Sequence, residues 1–152
     1  MNLPEDFKEF IELLNEKKVN YLIIGGYAVG FYSRPKFTND IDIWIENSEE
    51  NAEKVMIVLN EFGFGQVDIT INDLKDADKV IQLGHAPIRI DIITGLTGMF
   101  FSEAYAAKVK GNYLGTFANF ISYEDLIKSK KLAGRKKDLD DVQWLKKYSP
   151  YK

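Results

Sequence analysis

The sequence predicts an α/β (α+β) fold: a mixed β-sheet with helices packed on it and further helices at the C-terminal end. Three observations carry that expectation. Apolar runs of period two alternate with longer runs of period 3.6. After an opening helix the order reads strand, helix, strand, helix, three strands and then helices, the pattern of a layered fold and not of a bundle. Finally, 152 residues, 45% of them hydrophobic, with ten Phe, eight Tyr and two Trp, suffice for one domain over 1–152 with a single core.

Phe7, Phe10, Ile11 and Leu14 follow the i, i+3, i+4, i+7 rule, and Pro4, Glu5 and Asp6 suit the first turn of that helix. Tyr21-Leu22-Ile23-Ile24 reads as a buried strand stopped by Gly25-Gly26, and Tyr27 to Tyr32 as a short buried helix closed by Ser33 and Pro35. Asp40 to Ile45 alternates cleanly, with Ile41, Ile43 and Ile45 on one face and Asp40, Asp42 and Trp44 on the other. Ser48 caps the next helix, Glu49 and Glu50 favour its positive end, and Gly63 and Gly65 terminate it.

Val67 to Ile71, Val80 to Leu83 and Ile88 to Ile93 read as strands, with Asn72 to Lys79 as a charged surface loop. Phe100 to Ala106 reads as a short helix. Lys108 to Val109 and Thr116 to Ile121 read as extended pieces around an Asn-Tyr-Leu-Gly turn. Ser122 opens a helix to about Ala133, Gly134 breaks it, and a last helix from Asp138 turns Leu139, Val142 and Leu145 inward.

Composition excludes several chemistries. With no cysteine there is no disulfide, thiolate zinc site or cysteine nucleophile, and the single His85 cannot build a multi-histidine metal site. A net charge of −3 rules out a broad basic coat for nucleic acid, though not a local patch. No apolar run is long enough to span a bilayer, and the acidic N-terminus lacks a signal-peptide layout; a cytoplasmic protein is expected.

The chemistry concentrates in carboxylates. Asp40 and Asp42, two apart on a strand, point the same way about 6.6–7 Å apart along it. Such a pair can hold hard cations, and Mg²⁺ prefers oxygen ligands shared with substrate phosphates. Two ions about 3.5–4 Å apart can clamp both oxygens of an in-line phosphoryl displacement. Asp91, alone in the apolar strand Arg89-Ile90-Asp91-Ile92-Ile93, is costly there unless paired or metal-bound. If its strand lies beside the first, it completes a triad able to take the proton from an attacking hydroxyl. Gly25-Gly26, between a strand and a helix, permit close approach of backbone N–H groups to phosphate.

These segments together resemble the nucleotidyltransferase superfamily typified by DNA polymerase beta. More narrowly they resemble the minimal bacterial nucleotidyltransferases found among antibiotic adenylyltransferases and toxin–antitoxin systems. The resemblance rests on Gly25-Gly26-Tyr27-Ala28-Val29, on Lys36 to Ile45, and on the tail Asp125-Leu126-Ile127 to Lys131-Leu132-Ala133-Gly134-Arg135-Lys136-Lys137-Asp138 with Asp141-Val142. One departure is Tyr32-Ser33, where many relatives carry His-Gly.

The resemblance implies transfer of a nucleoside monophosphate from an NTP such as ATP to a hydroxyl, with release of pyrophosphate. It implies two Mg²⁺ ions on Asp40, Asp42 and Asp91, and Gly25 and Gly26 around the triphosphate. Lys131 and Arg135 are expected near the phosphates, and Thr38 is a further nucleotide contact. The acceptor expected first is a tRNA end or a protein in a toxin-like system, with a small molecule such as an antibiotic as the alternative. An antitoxin or a second copy of the chain is an expected partner.

Plainer readings stand beside these. Asp40 and Asp42 can be edge-strand charges that prevent aggregation, Asp91 can simply pair with Arg89, and Gly25-Gly26 can be a bare turn. Lys128, Lys130 and Lys136 read as a solvated face, Asp138 as the N-cap of the last helix, and Asp141 as a partner of Lys137. His85 reads as structural, and Lys36 as a solvated loop lysine. A non-catalytic nucleotide-binding or interaction module is the remaining alternative, favoured if Asp91 lies far from the aspartate pair.

Overall fold

The computed structural model describes residues 3–34, 38, 40–63, 68–85, 88–113 and 115–150. Its elements in chain order are α1 (Leu3–Glu16), β1 (Tyr21–Ile24), α2 (Gly25–Tyr32), β2 (Asp40–Ile45), α3 (Glu49–Phe62) and α4 (Ile71–Lys75). Then follow β3 (Val80–His85), β4 (Ile88–Ile93), α5 (Phe101–Ala106), β5 (Val109–Tyr113), β6 (Thr116–Phe120), α6 (Tyr123–Ala133) and α7 (Lys136–Tyr148).

The strands form one mixed sheet in the order β3-β4-β2-β1-β6-β5, the α+β arrangement expected. β2 runs antiparallel to β1 and parallel to β4, and β1 runs parallel to β6. β2 is therefore an interior strand, which removes the edge-strand reading of its two aspartates.

The alternation of β2 sorts the two faces. Ile41, Ile43 and Ile45 are fully buried, as are Ile90 and Ile92 of β4, so that face is completely covered. Tyr21 pairs with Ile45 across the strands, shares its face, and donates its hydroxyl to Asn15 of α1. That contact puts α1 on the isoleucine side. α1 packs on α3 and α3 on α4, with Phe10 and Phe62 edge to face. The aspartate side carries α2, which packs on β1, β2, α6 and α7.

Helix ends follow local chemistry. The Ser48 side chain accepts from the Asn51 N–H, and Gly63 closes α3 at φ +109, a left-handed conformation open to glycine. Ser122 caps α6 by accepting from the Asp125 N–H, and Gly134 ends it at φ +68.

Several expectations need correction. No strand occupies residues 68–71; they lead into α4, and Val67 and Gly65 lie outside the described residues. Thr70 accepts from the Asp73 N–H while Asp73 accepts from the Thr70 N–H, a reciprocal cap that makes a helical turn of part of the supposed loop. α2 begins on the glycines themselves. β5 and β6 are a full hairpin, with Asn112 accepting from the Gly115 N–H at the turn. α7 starts at Lys136, with Arg135 in the cap position and Asp138 inside the first turn, so Leu139 rotates out to 47% exposure. The His85 side chain, Pro35 and Lys36 lie outside the description.

Candidate active site

Parallel pairing of β2 and β4 sets Asp42 beside Asp91 and Asp40 beside Arg89. Neighbouring strands are about 4.8 Å apart and side chains of paired residues share a face. All three acids therefore converge, and one carboxylate oxygen from each lies within 4.8 Å of the others. Asp91 is buried, while Asp40 and Asp42 are half-buried. Burial pushes the Asp42 carboxyl up to about 7, helped by the charges of Asp40 and Asp91 and opposed by Lys130.

That donor set suits a hard divalent cation. It offers oxygen ligands only, and their mutual repulsion is what a cation at those oxygens would relieve. Asp40, Asp42 and Asp91 are the residues able to hold it.

The glycine turn closes on the same spot. Gly25 adopts φ +69, and a Cβ there would stand 2.0 Å from Asp42 Oδ2. No side chain caps the start of α2, where Ile24 occupies the cap position. A Cβ on Gly26 would press within 3.3 Å of Thr38 Cγ2. The Thr38 hydroxyl donates to Asp40 Oδ1 at 3.0 Å, which ties it to the acid cluster.

The α6–α7 corner supplies cations. Lys130 is not solvated: it is 9% exposed, with Nζ 2.9 Å from Asp141 and 3.6 Å from Asp138. Asp141 thus pairs with Lys130 where Lys137 was expected. Arg135 donates from Nε to Asp138 Oδ2 at 2.7 Å and from Nη2 to Oδ1 at 3.3 Å. Asp138 accepts from the Arg135 N–H as well, so it serves the cap without being the cap residue. Asp138 chiefly, and Asp42 last, raise the Arg135 pKa, and Lys130 lowers that of Asp42, so the corner lies within electrostatic reach of the acids.

Lys131 and Arg135 do not share one helical face, because Gly134 separates their helices, and Lys131 points to solvent. The helical period starting from buried Leu126 lands on Lys130. That step of four was the sequence signal for the inward lysine.

Arg89 joins the cluster too. Its Nε and Nη2 donate to the two oxygens of Asp91 at 3.1 and 3.0 Å, and Nη2 reaches Asp40 Oδ2 at 3.4 Å. Pairing of Asp91 with Arg89 and convergence of Asp91 on the aspartate pair hold together. Cavities of ≈ 390 and ≈ 540 Å³ open elsewhere, the first lined by glutamates of α1 and α3 and the second by α6 and α7. None of the three acids lines either.

The sequence matches the family described as nucleotidyl transferase of unknown function (DUF2204) over residues 4–152. No curated protein gives a significant sequence match. Among solved structures, the chain is similar to a Thermotoga maritima protein provisionally assigned as a nucleotidyltransferase. The TM-score is 0.62 at 18% identity, over 94% of this chain and 92% of that one. It is also similar to the lincosamide antibiotic adenylyltransferase LnuA in its lincomycin-bound form, with TM-score 0.59, 18% identity and coverage of 93% and 95%. A third is ANT(2'')-Ia in complex with adenylyl-2''-tobramycin, with TM-score 0.61, 13% identity and coverage of 93% and 86%. At these identities the structures speak for the fold alone, while the family match spans nearly the whole sequence. The chain belongs to this nucleotidyl transferase family and is a nucleotidyltransferase.

Proposed function

We propose that this enzyme moves a nucleoside monophosphate from an NTP, ATP first among them, to a hydroxyl acceptor and releases pyrophosphate in a Mg²⁺-dependent reaction. The observation that carries the reading is the meeting of Asp40, Asp42 and Asp91 within 4.8 Å beside the start of α2. Asp40 and Asp42 would hold both ions and Asp91 the one nearer the acceptor; bound Mg²⁺ supplies charge neutralisation for the triphosphate and the attacking oxygen. Asp91 is placed to favour loss of the acceptor's proton. The backbone N–H groups at Gly25 and Gly26 would receive the β and γ phosphates, and Arg135, which shares Asp138 with Lys130, would add positive charge. Residues 1–152 would act as one catalytic domain, in the cytoplasm, where its NTP is abundant. No helix among the described residues is long and apolar enough to cross a membrane.

The acceptor we favour is a small hydroxylated molecule. LnuA and ANT(2'')-Ia, adenylyltransferases for antibiotics, share the fold across almost the same length, so a chain of this size has room for such an acceptor. A cationic acceptor would also suit an acid cluster on a protein of net charge −3. A second reading, a toxin-like enzyme with an RNA or protein acceptor and an antitoxin partner, draws on exposed Lys128, Lys131, Arg135, Lys136 and Lys137 around the α6–α7 corner.

The test is incubation with each α-labelled NTP and Mg²⁺, in parallel with a panel of lincosamides and aminoglycosides, total RNA and total protein. Label should move to one acceptor class in the wild type and to none with Asp42→Ala. Transfer that survives in the variant overturns the reading.

A further inference from the structure

Arg89 is the one cation bonded directly to two of the three acids among the described residues. Its guanidinium takes both oxygens of Asp91 in a two-bond fork and reaches across the strand pair to Asp40. Fork geometry of this kind fixes direction as well as charge. Any divalent cation drawing on Asp40 and Asp91 must share those oxygens with the guanidinium or take them from it.

Two further features argue for taking. The Arg89 side chain is 39% exposed, so water can solvate the guanidinium when it leaves the acids. Across β3–β4, Arg89 is paired with Gly84, so β3 offers no side chain to pin it at that position. The guanidinium can therefore leave toward solvent without emptying a packed site. Once separated from Asp91 it is an arginine at the mouth of the site, always charged and shaped to receive phosphate oxygens.

We propose that Arg89 is a resident counter-cation that makes the site take up a divalent ion together with a nucleotide triphosphate rather than alone. The ion displaces Arg89 from Asp91, and the displaced guanidinium finds its new anion in the triphosphate. The two ligands thus bind with positive coupling, each lowering the cost of the other. The proposal rests on the reading of Asp40, Asp42 and Asp91 as the metal-holding acids.

Calorimetry with Mn²⁺ alone, and with Mg²⁺ plus an α,β-methylene ATP analogue, tests it on wild type, Arg89→Gln, Arg89→Lys and Asp42→Asn. Arg89→Gln should bind Mn²⁺ alone about tenfold tighter and the metal–analogue complex about tenfold weaker, from the neighbouring charge lost and the phosphate partner lost. Arg89→Lys, which keeps the charge, should stay within about threefold of wild type for Mn²⁺ alone. If Arg89→Gln binds Mn²⁺ alone equally or less well, Arg89 orients the acids and the proposal falls. If Asp42→Asn binds Mn²⁺ as the wild type does, the ion lies elsewhere and the metal site itself falls.

A readout on the unaltered protein guards against a misfolded variant. The chain has three arginines, Arg34, Arg89 and Arg135. The Arg89 Nε–H resonance in ¹⁵N-labelled protein should move when Mg²⁺ and the analogue are added together. A resonance unmoved at saturation overturns the displacement.

Discussion

The α-carbon of Gly25 is held against Asp42 so closely that the first atom of any side chain there would lie 2.0 Å from the carboxylate oxygen Oδ2. Residue 25 also sits at φ +69, where a side chain is strained even with room to spare. The glycine turn and the acid cluster are thus one object. Gly25→Ala should push Asp42 out of register, lower transferase activity at least about 100-fold and cost about 2 kcal/mol of stability. Activity assay and urea denaturation check it; an active Gly25→Ala would mean that Asp42 tolerates displacement.

Asp42 gives the pH dependence. Its folded-state pKa stands at about 7 against an ordinary 3.8, chiefly through burial and then through Asp40 and Asp91. A raised carboxyl stabilises the fold fully below about pH 4 and loses that contribution as pH climbs through about 7. The metal-free wild type should therefore lose on the order of 2 kcal/mol between pH 5 and 8 relative to Asp42→Asn. Mg²⁺ favours the ionised acid and should restore the loss at pH 8 in the wild type only. Thermal melts at both pH values, with and without Mg²⁺, measure it; parallel pH profiles for the two proteins would contradict it.

Lys130 and Lys131 are adjacent in sequence and opposite in fate. Lys130 is enclosed with Asp138 and Asp141, whereas Lys131 faces solvent. Removing one partner of a buried ion pair leaves charge without compensation. Lys130→Met should cost about 3 kcal/mol, with loss of activity as the corner beside Asp42 loosens, while Lys131→Met should stay within about 0.5 kcal/mol of wild type. Equal costs for the two in chemical denaturation would refute the distinction.

The Thr38 hydroxyl steadies Asp40, donating toward its Oδ1 at 3.0 Å and its backbone oxygen at 3.1 Å and accepting from its N–H at 3.5 Å. Thr38→Val keeps the shape and removes the donor. The Mg²⁺ concentration for half-maximal activity should rise about tenfold, as for a group orienting a metal ligand, with stability changed by less than about 1 kcal/mol. An unchanged Mg²⁺ requirement would leave Thr38 as a turn residue.

Local rules were enough for much of this molecule. The period-two run from Asp40 to Ile45 determined which residues face the core, because a strand turns its side chains by half a revolution each step. Ser48, Gly63, Ser122 and Gly134 fixed helix ends by chemistry within a few residues of themselves. The short-range pattern misread residues 68–71, where the apolar stretch suggested a strand and the Thr70–Asp73 cap instead starts a helical turn.

Within the sequence, then, Asp40 and Asp42 shared a face and Asp91 stood out as an acid among isoleucines. Their meeting was decided by the parallel pairing of β2 with β4, a register that no local signal encodes because it joins residues about fifty positions apart. The same pairing brought Arg89 onto Asp40 as well as Asp91, and the packing of α6 on α7 gave the inward Lys130 its partners Asp138 and Asp141. Side-chain direction along a strand or helix is a property of the backbone period and can be read from sequence. Which faces meet depends on burying apolar surface across the whole chain, and only the tertiary structure decided that.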